Sequence, residues 1–157
     1  MMSFKKIVLI IIILFASGCK SSNVDIITYN EYKDYFGYLI IPSINMNLGF
    51  YDYDDERNNV NQNVTLINTN IENTYILAAH SGNGYLAYFN DLRYLKVDDE
   101  IIIKFENKEN HYKIKRIRNE IKDGSINILN EKNQVILTTC NQVKKGYQLI
   151  IEASLVK

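Results

Sequence analysis

From Phe36 onward, short apolar segments alternate with stretches rich in Asn, Asp and Gly, which is the punctuation of a chain of strands and turns. Residues 38–41 are apolar and stop at Pro42, which suits a strand ending at a sheet edge. Residues 45–51 alternate loosely and lead into the acidic, amide-rich stretch 52–63, predicted to be an exposed loop. Residues 75–79 form a short apolar run that fits a buried strand. Residues 100–105 and 111–118 are predicted to pair as a hairpin, with 106–110 as its turn. The last two strands are predicted at 134–139 and 147–155, joined by a polar turn through Lys144, Lys145 and Gly146. One helical piece stands among the strands, at 86–95, where Leu86, Phe89, Leu92 and Leu95 fall three apart. Many short strands with one or two brief helices predict a mainly β chain, folded as a single antiparallel barrel.

The N-terminal residues follow another pattern. Lys5 and Lys6 precede an unbroken apolar run over 7–15, and the small residues Ala16, Ser17 and Gly18 follow. This charged, apolar, small-residue order is that of a secretory signal. The run is about half of the ~20 residues a membrane-spanning helix needs, which argues against a permanent span. Cys19, directly after Ser17 and Gly18, resembles the lipobox cysteine of bacterial lipoproteins, which is lipidated and becomes the first mature residue; Ala16 stands where leucine is commoner. The expected organisation is a signal peptide over 1–18, a polar tether over 19–34 and a folded domain over 35–157. The domain is then held on the extracytoplasmic face of a bacterial membrane by lipid at Cys19, or otherwise by an uncleaved N-terminal segment.

Charge and cysteine content narrow the classes of function. The 18 basic and 18 acidic residues cancel, so no basic surplus for nucleic acid exists. Removing residues 1–18 takes away two Lys and no acid, leaving 16 against 18, or −2, so attraction of basic residues to lipid headgroups is not the anchor. Two cysteines, Cys19 and Cys140, are too few for a disulfide framework or a four-thiolate zinc site. Glu72 and the cluster Asp54, Asp55 and Glu56 are read as solvated loop faces, so neither metal nor cofactor is expected.

Cys140 ends the strand 134–139 where it gives way to a loop, a place where a thiol is held firmly yet reaches solvent. His80 likewise follows a short apolar strand and opens onto Ser81, Gly82, Asn83 and Gly84, a loop with room for a ligand. His111 lies inside a strand pattern and is read as an ordinary strand residue. A thiol and an imidazole at the mouths of two strands make a nucleophile and proton-transfer pair. Thr138, Thr139, Ser81 and Gly82, which flank them, are the candidate substrate-binding residues. Histidine precedes cysteine here, the reverse of the papain order, and the chain is too short for the two barrels of a chymotrypsin-like protease.

Leu137-Thr138-Thr139-Cys140 resembles the Leu-x-Thr-Cys signature of sortases, the bacterial cysteine transpeptidases. Residues 73–82, ending in Ala79-His80-Ser81-Gly82, resemble the segment leading into the sortase histidine, and Phe36 to Pro42 resembles the opening strand of that family. Phe89-Asn90-Asp91-Leu92 and Val97-Asp98-Asp99-Glu100 are similar to its helix and the turn that follows. The resemblance implies an eight-stranded barrel in which Cys140 attacks the carbonyl of a sorting motif in a secreted surface protein and forms a thioacyl enzyme. His80 would protonate the leaving amine and deprotonate the incoming one. The incoming amine would belong to a cell-wall precursor or to a pilin lysine.

The resemblance also implies an arginine just before the aliphatic run of the last strand, and here that position is Gln148. A glutamine donates a neutral hydrogen bond but brings neither charge nor a bidentate fork. Losing one good oxyanion donor costs about 10²–10³ in rate, so Gln148 is expected to limit turnover. Three readings follow: a slow transpeptidase, a sortase-like protein that binds a sorting or pilin peptide with little or no turnover, and a hydrolase in which water replaces the amine.

Overall fold

The computed structural model describes residues 34–129 and 131–156. The expected signal peptide over 1–18, Cys19 and the expected tether through residue 33 lie outside the described residues. Among the described residues no helix is long and apolar enough to cross a membrane.

Eight strands form one sheet: β1 (Gly37–Ile41), β2 (Met46–Phe50), β3 (Thr65–Ile67), β4 (Tyr75–Ala78), β5 (Glu100–Phe105), β6 (Lys108–Ile121), β7 (Gln134–Cys140) and β8 (Tyr147–Leu155). Their order is β2-β1-β5-β6-β8-β7-β4-β3, and a single bridge between Phe50 and Val64 joins the two ends into a nearly closed barrel. Alternate residues turn inward. Leu39 and Ile41, Ile101 and Ile103, Tyr112 and Ile114, and Val135 and Leu137 thus fill the interior from four strands. At one end an aromatic group packs edge to face around Phe36, Phe50 and Phe105. Tyr35 lies flat against Gly49, where an added Cβ would meet its ring at 2.2 Å.

The outer face of β7 is covered as well. Ile136 packs with Ile76 and Ile150 in a second apolar cluster, and Ile126 and Ile128 from the segment after β6 lie over it. This is why residues 134–139 are all buried and read as a continuous apolar run instead of an alternating one. The covering segment is tied down by Gln134, whose amide donates to the carbonyls of Leu129 and Glu131, and by Arg118, which donates to the Asn127 carbonyl.

The structure departs from the expected pattern in four places. The antiparallel expectation fails for one strand pair: β4 and β7 run parallel, as two strands joined by a long crossover through β5 and β6 can. Pro42 ends β1, yet β1 is internal, paired with both β2 and β5; the proline sits one step beyond the strand and opens a 3₁₀ turn over Pro42–Ile44, so no ladder bond is lost. The predicted helix at 86–95 is a 3₁₀ helix over Asn90–Tyr94 flanked by further turns. Its backbone bonds run from Ala87 to Gly84, Asn90 to Ala87, Leu92 to Phe89 and Leu95 to Leu92, all three apart, which matches the spacing of its buried apolar residues. Finally, β6 runs well past the predicted 111–118, with an irregularity at Ile114/Arg116, because β8 pairs with it to its end.

Candidate active site

The parallel β4–β7 pair sets the geometry. Ala78 and Thr138 are register partners, and the pairing continues beyond the ladder: the Ala79 N–H donates to the Thr138 carbonyl at 3.4 Å, and the Thr139 hydroxyl donates to the Ala79 carbonyl at 2.7 Å. Two residues beyond that register pair stand His80, past the end of β4, and Cys140, the last residue of β7. Parallel register therefore brings them to the same end of neighbouring strands, whose spacing is about 4.8 Å. Cys140 is half-buried and His80 is exposed. The His80 Nε2 atom lies 3.4 Å from the Asn61 Oδ1 atom of the β2–β3 loop.

Two cavities meet at Cys140. One, of about 420 Å³, lies on the outer face between His80 and Lys122, with Val60, Ile67 and Ile126 as apolar walls. The other, of about 410 Å³, lies on the far side of the thiol, bounded by Phe89, Asn90, Arg93 and Gln142. Thr139 and Cys140 border both.

The remaining candidate residues fall around this centre. Thr138 shares the outer face with Cys140 and lines the first cavity, whereas the Thr139 hydroxyl is engaged with Ala79. The Ser81 hydroxyl donates to the Cys140 carbonyl at 2.5 Å, linking the loop after β4 to the nucleophile strand. Gly82 adopts φ +126, a backbone conformation that favours glycine, and the Asn90 amide bonds both its N–H and its carbonyl. Gln148 is the register partner of Cys140 on β8, and its Nε2 donates to the Ser125 carbonyl at 2.6 Å. Of the two turn lysines, Lys144 places its ammonium 3.4 Å over the Tyr147 ring.

One group at the thiol was not foreseen. The Lys122 ammonium donates to Cys140 Sγ at 3.1 Å. The signal for it lay in the alternation of β6, which puts Arg116, Arg118, Glu120 and Lys122 on one face once the strand is carried past 118. Glu152 on β8 anchors that face through bonds from Arg116 and Arg118. Burial pushes its carboxyl up, but the two guanidinium groups outweigh burial and hold it below the usual glutamate range.

Elsewhere, acids are paired with bases: Asp55 with Arg57 at 2.6 Å and Glu72 with Lys132 at 2.6 Å. Among the described residues no cluster of His, Cys, Asp and Glu is arranged to hold a metal ion. His111 sits in β6 between Glu100 and Glu109, and the Glu100 hydrogen bond raises its pKa above the ordinary histidine value.

A family model described as a sortase domain matches residues 39–156. The fold is similar to sortase C1 of Streptococcus agalactiae in complex with MTSET, at TM-score 0.64 and 23% identity, covering 80% of this chain and 70% of that one. A lid mutant of sortase A from Corynebacterium diphtheriae gives TM-score 0.66 at 19% identity, covering 78% and 70%. Sortase C-1 of Actinomyces oris gives 0.63 at 20%, covering 77% and 73%. At these identities the structural likeness is one of fold. No match was found among curated proteins. With the family model spanning most of its length, this chain belongs to the sortase family of cysteine transpeptidases.

Proposed function

We propose that this sortase cleaves a C-terminal sorting motif of secreted proteins through a thioacyl enzyme on Cys140 and passes the acyl group to an amine. The observation that carries the reading is the shared cavity of His80, two residues past the end of β4, and Cys140, the last residue of the neighbouring parallel strand β7, with a second cavity on the other side of the thiol. Amide cleavage needs a nucleophile stronger than water and a proton for the poor leaving group. The Cys140 sulfur adds to the scissile carbonyl, and the C–N bond breaks as His80 gives its proton to the departing amine. The acceptor amine then attacks the thioester, returns a proton to the imidazole and releases the sulfur. Two separate cavities suit two successive substrates, an acyl donor on one side and an amine on the other.

The test is to incubate the full chain with a library of fluorogenic sorting-motif peptides, with and without hydroxylamine as a strong amine. Expected are a thioester mass on the Cys140 peptide and a hydroxamate product. Binding without cleavage would establish the peptide-binding reading instead. Release of the free acid at the same rate whatever the amine would establish a hydrolase.

The location proposed is the extracytoplasmic membrane face, with cleavage after Gly18 and lipid on Cys19, as the order of charged, apolar and small residues supports. Mass spectrometry of the membrane-extracted protein should find diacylated Cys19 as the first residue. An intact Met1 with unmodified Cys19 overturns that anchor.

A further inference from the structure

Lys122 follows the last residue of β6, and its backbone N–H donates to the Gly146 carbonyl at 2.9 Å, which fixes where its side chain starts. Arg116, Arg118 and Glu120 precede it on the same face of the strand. They are engaged with one another and with Glu152: both arginines bond Glu152, and Arg118 also pairs with Glu120. Lys122 stands beyond this ladder, and its ammonium reaches the sulfur at 3.1 Å.

The other groups near the thiol do not bring a cation to it by a bond of their own. Gln148 is neutral and donates to the Ser125 carbonyl. Lys144 lies over Tyr147, and Arg93 donates to Gln142 at 2.6 Å. The Asp123 carboxylate, next along the chain, accepts from the Ser125 N–H and hydroxyl, which hold its pKa below the usual range. His80 faces the same cavity from the end of β4.

We propose that Lys122 is a catalytic residue: its ammonium holds Cys140 as the thiolate and then follows the negative charge onto the carbonyl oxygen of the scissile amide. The proposal rests on the thioacyl reading above. When the sulfur adds to the carbonyl carbon, the S–C bond forms and the π pair moves to oxygen, so one unit of negative charge leaves sulfur and appears on the adjacent oxygen. A hydrogen-bonded cation favours the thiolate, and the same donor lowers the barrier when it strengthens its bond to the oxyanion. A lysine suits both steps because its compact charge rides on a flexible four-carbon stem. As the C–N bond breaks with the proton from His80, the oxyanion collapses to the thioester and the ammonium is left with a neutral partner.

The test separates the two halves of the role. Iodoacetamide alkylates sulfur without forming an oxyanion and needs no peptide recognition. Labelling of the full chain is followed by mass spectrometry on the Cys140 peptide from pH 5 to 10, for wild type, Lys122→Met, Lys122→Gln and Lys122→Arg. Both neutral variants should label about tenfold or more slowly at pH 7 and converge with wild type at alkaline pH. Lys122→Arg should stay within about threefold. The exposed position of Lys122 makes misfolding unexpected, and two neutral variants guard against it. Superimposable profiles for wild type and either folded neutral variant overturn the proposal. Acylation by a cleavable peptide should fall further than labelling does, by an additional ~10-fold or more; equal losses overturn the oxyanion half. A wild type that labels with the expected Lys122 dependence but cleaves no peptide sinks the transpeptidase reading and leaves the thiolate half standing.

Discussion

Gln148 faces Cys140 directly across the β7–β8 ladder, yet its amide nitrogen is bonded to the Ser125 carbonyl at 2.6 Å, on the segment that covers the outer cavity. The residue therefore holds a wall of that cavity, while Lys122 bonds the sulfur. Gln148→Ala is expected to raise KM for the peptide more than it lowers kcat, because a looser wall weakens binding of substrate and transition state alike. Gln148→Arg puts a charged fork on the thiol's side of β8. It should change wild-type acylation by less than about threefold, and should recover about tenfold or more of the loss in a Lys122→Met background. A single Gln148→Arg change that raises wild-type acylation tenfold would show that the charge at the thiol was missing after all.

Asn90 is expected to act as a positioning residue. Its Oδ1 accepts from the Gly82 N–H at 2.7 Å and from the Gln142 amide at 2.5 Å, and its Nδ2 donates to the Gly82 carbonyl at 3.1 Å. One side chain thus ties the loop after His80 to the loop after Cys140. Displacements of about 1 Å at a reacting pair can cost up to 10²-fold. Asn90→Ala should lower kcat by about tenfold or more, with iodoacetamide labelling of Cys140 changed much less, since alkylation needs no proton delivered to a leaving amine. Parallel losses in both assays would mean that the change disturbs the thiol itself.

Much of this arrangement was legible in the chain because apolar strands leave plain signals. The bounds of β5 and β8 follow from hydrophobic runs ended by polar turns, and similar runs place Cys140 at the end of β7 and His80 two residues past β4. What escaped was held by polar side chains acting as backbone. β3 has three residues, too few for a periodic signal, and its edge is met by Asn58, whose amide both accepts from and donates to Leu66 at 2.8 Å. That contact also accounts for part of the amide-rich loop 52–63, which composition alone presents as solvent-exposed. Lys122 escaped for a related reason. The charged positions of β6 read as a strand end at 118, whereas Glu152 and Glu120 pair with those arginines and let the strand continue to Ile121.

The Glu152 ladder carries a pH-dependent share of stability. Glu152 is 7% exposed and accepts from Arg116 and Arg118. Its native pKa lies below the usual glutamate value, because the guanidinium bonds outweigh the upward push of burial. A carboxyl with a depressed native pKa contributes stability that is fully present above its unfolded value, near 4.3, and is lost as pH falls through the native value. Glu152→Gln keeps the shape and removes the charge, leaving Arg118 without its buried partner. It should cost on the order of 3 kcal/mol at pH 7, the low end for breaking a buried pair because Arg116 reaches solvent. Denaturant unfolding of both proteins from pH 7 to pH 3 checks the sign. The gap between them should hold steady down to about pH 5 and then close as the wild-type carboxyl takes up its proton. A gap that stays constant to pH 3 would mean that packing, and not the ion pairs, makes Glu152 matter to the fold.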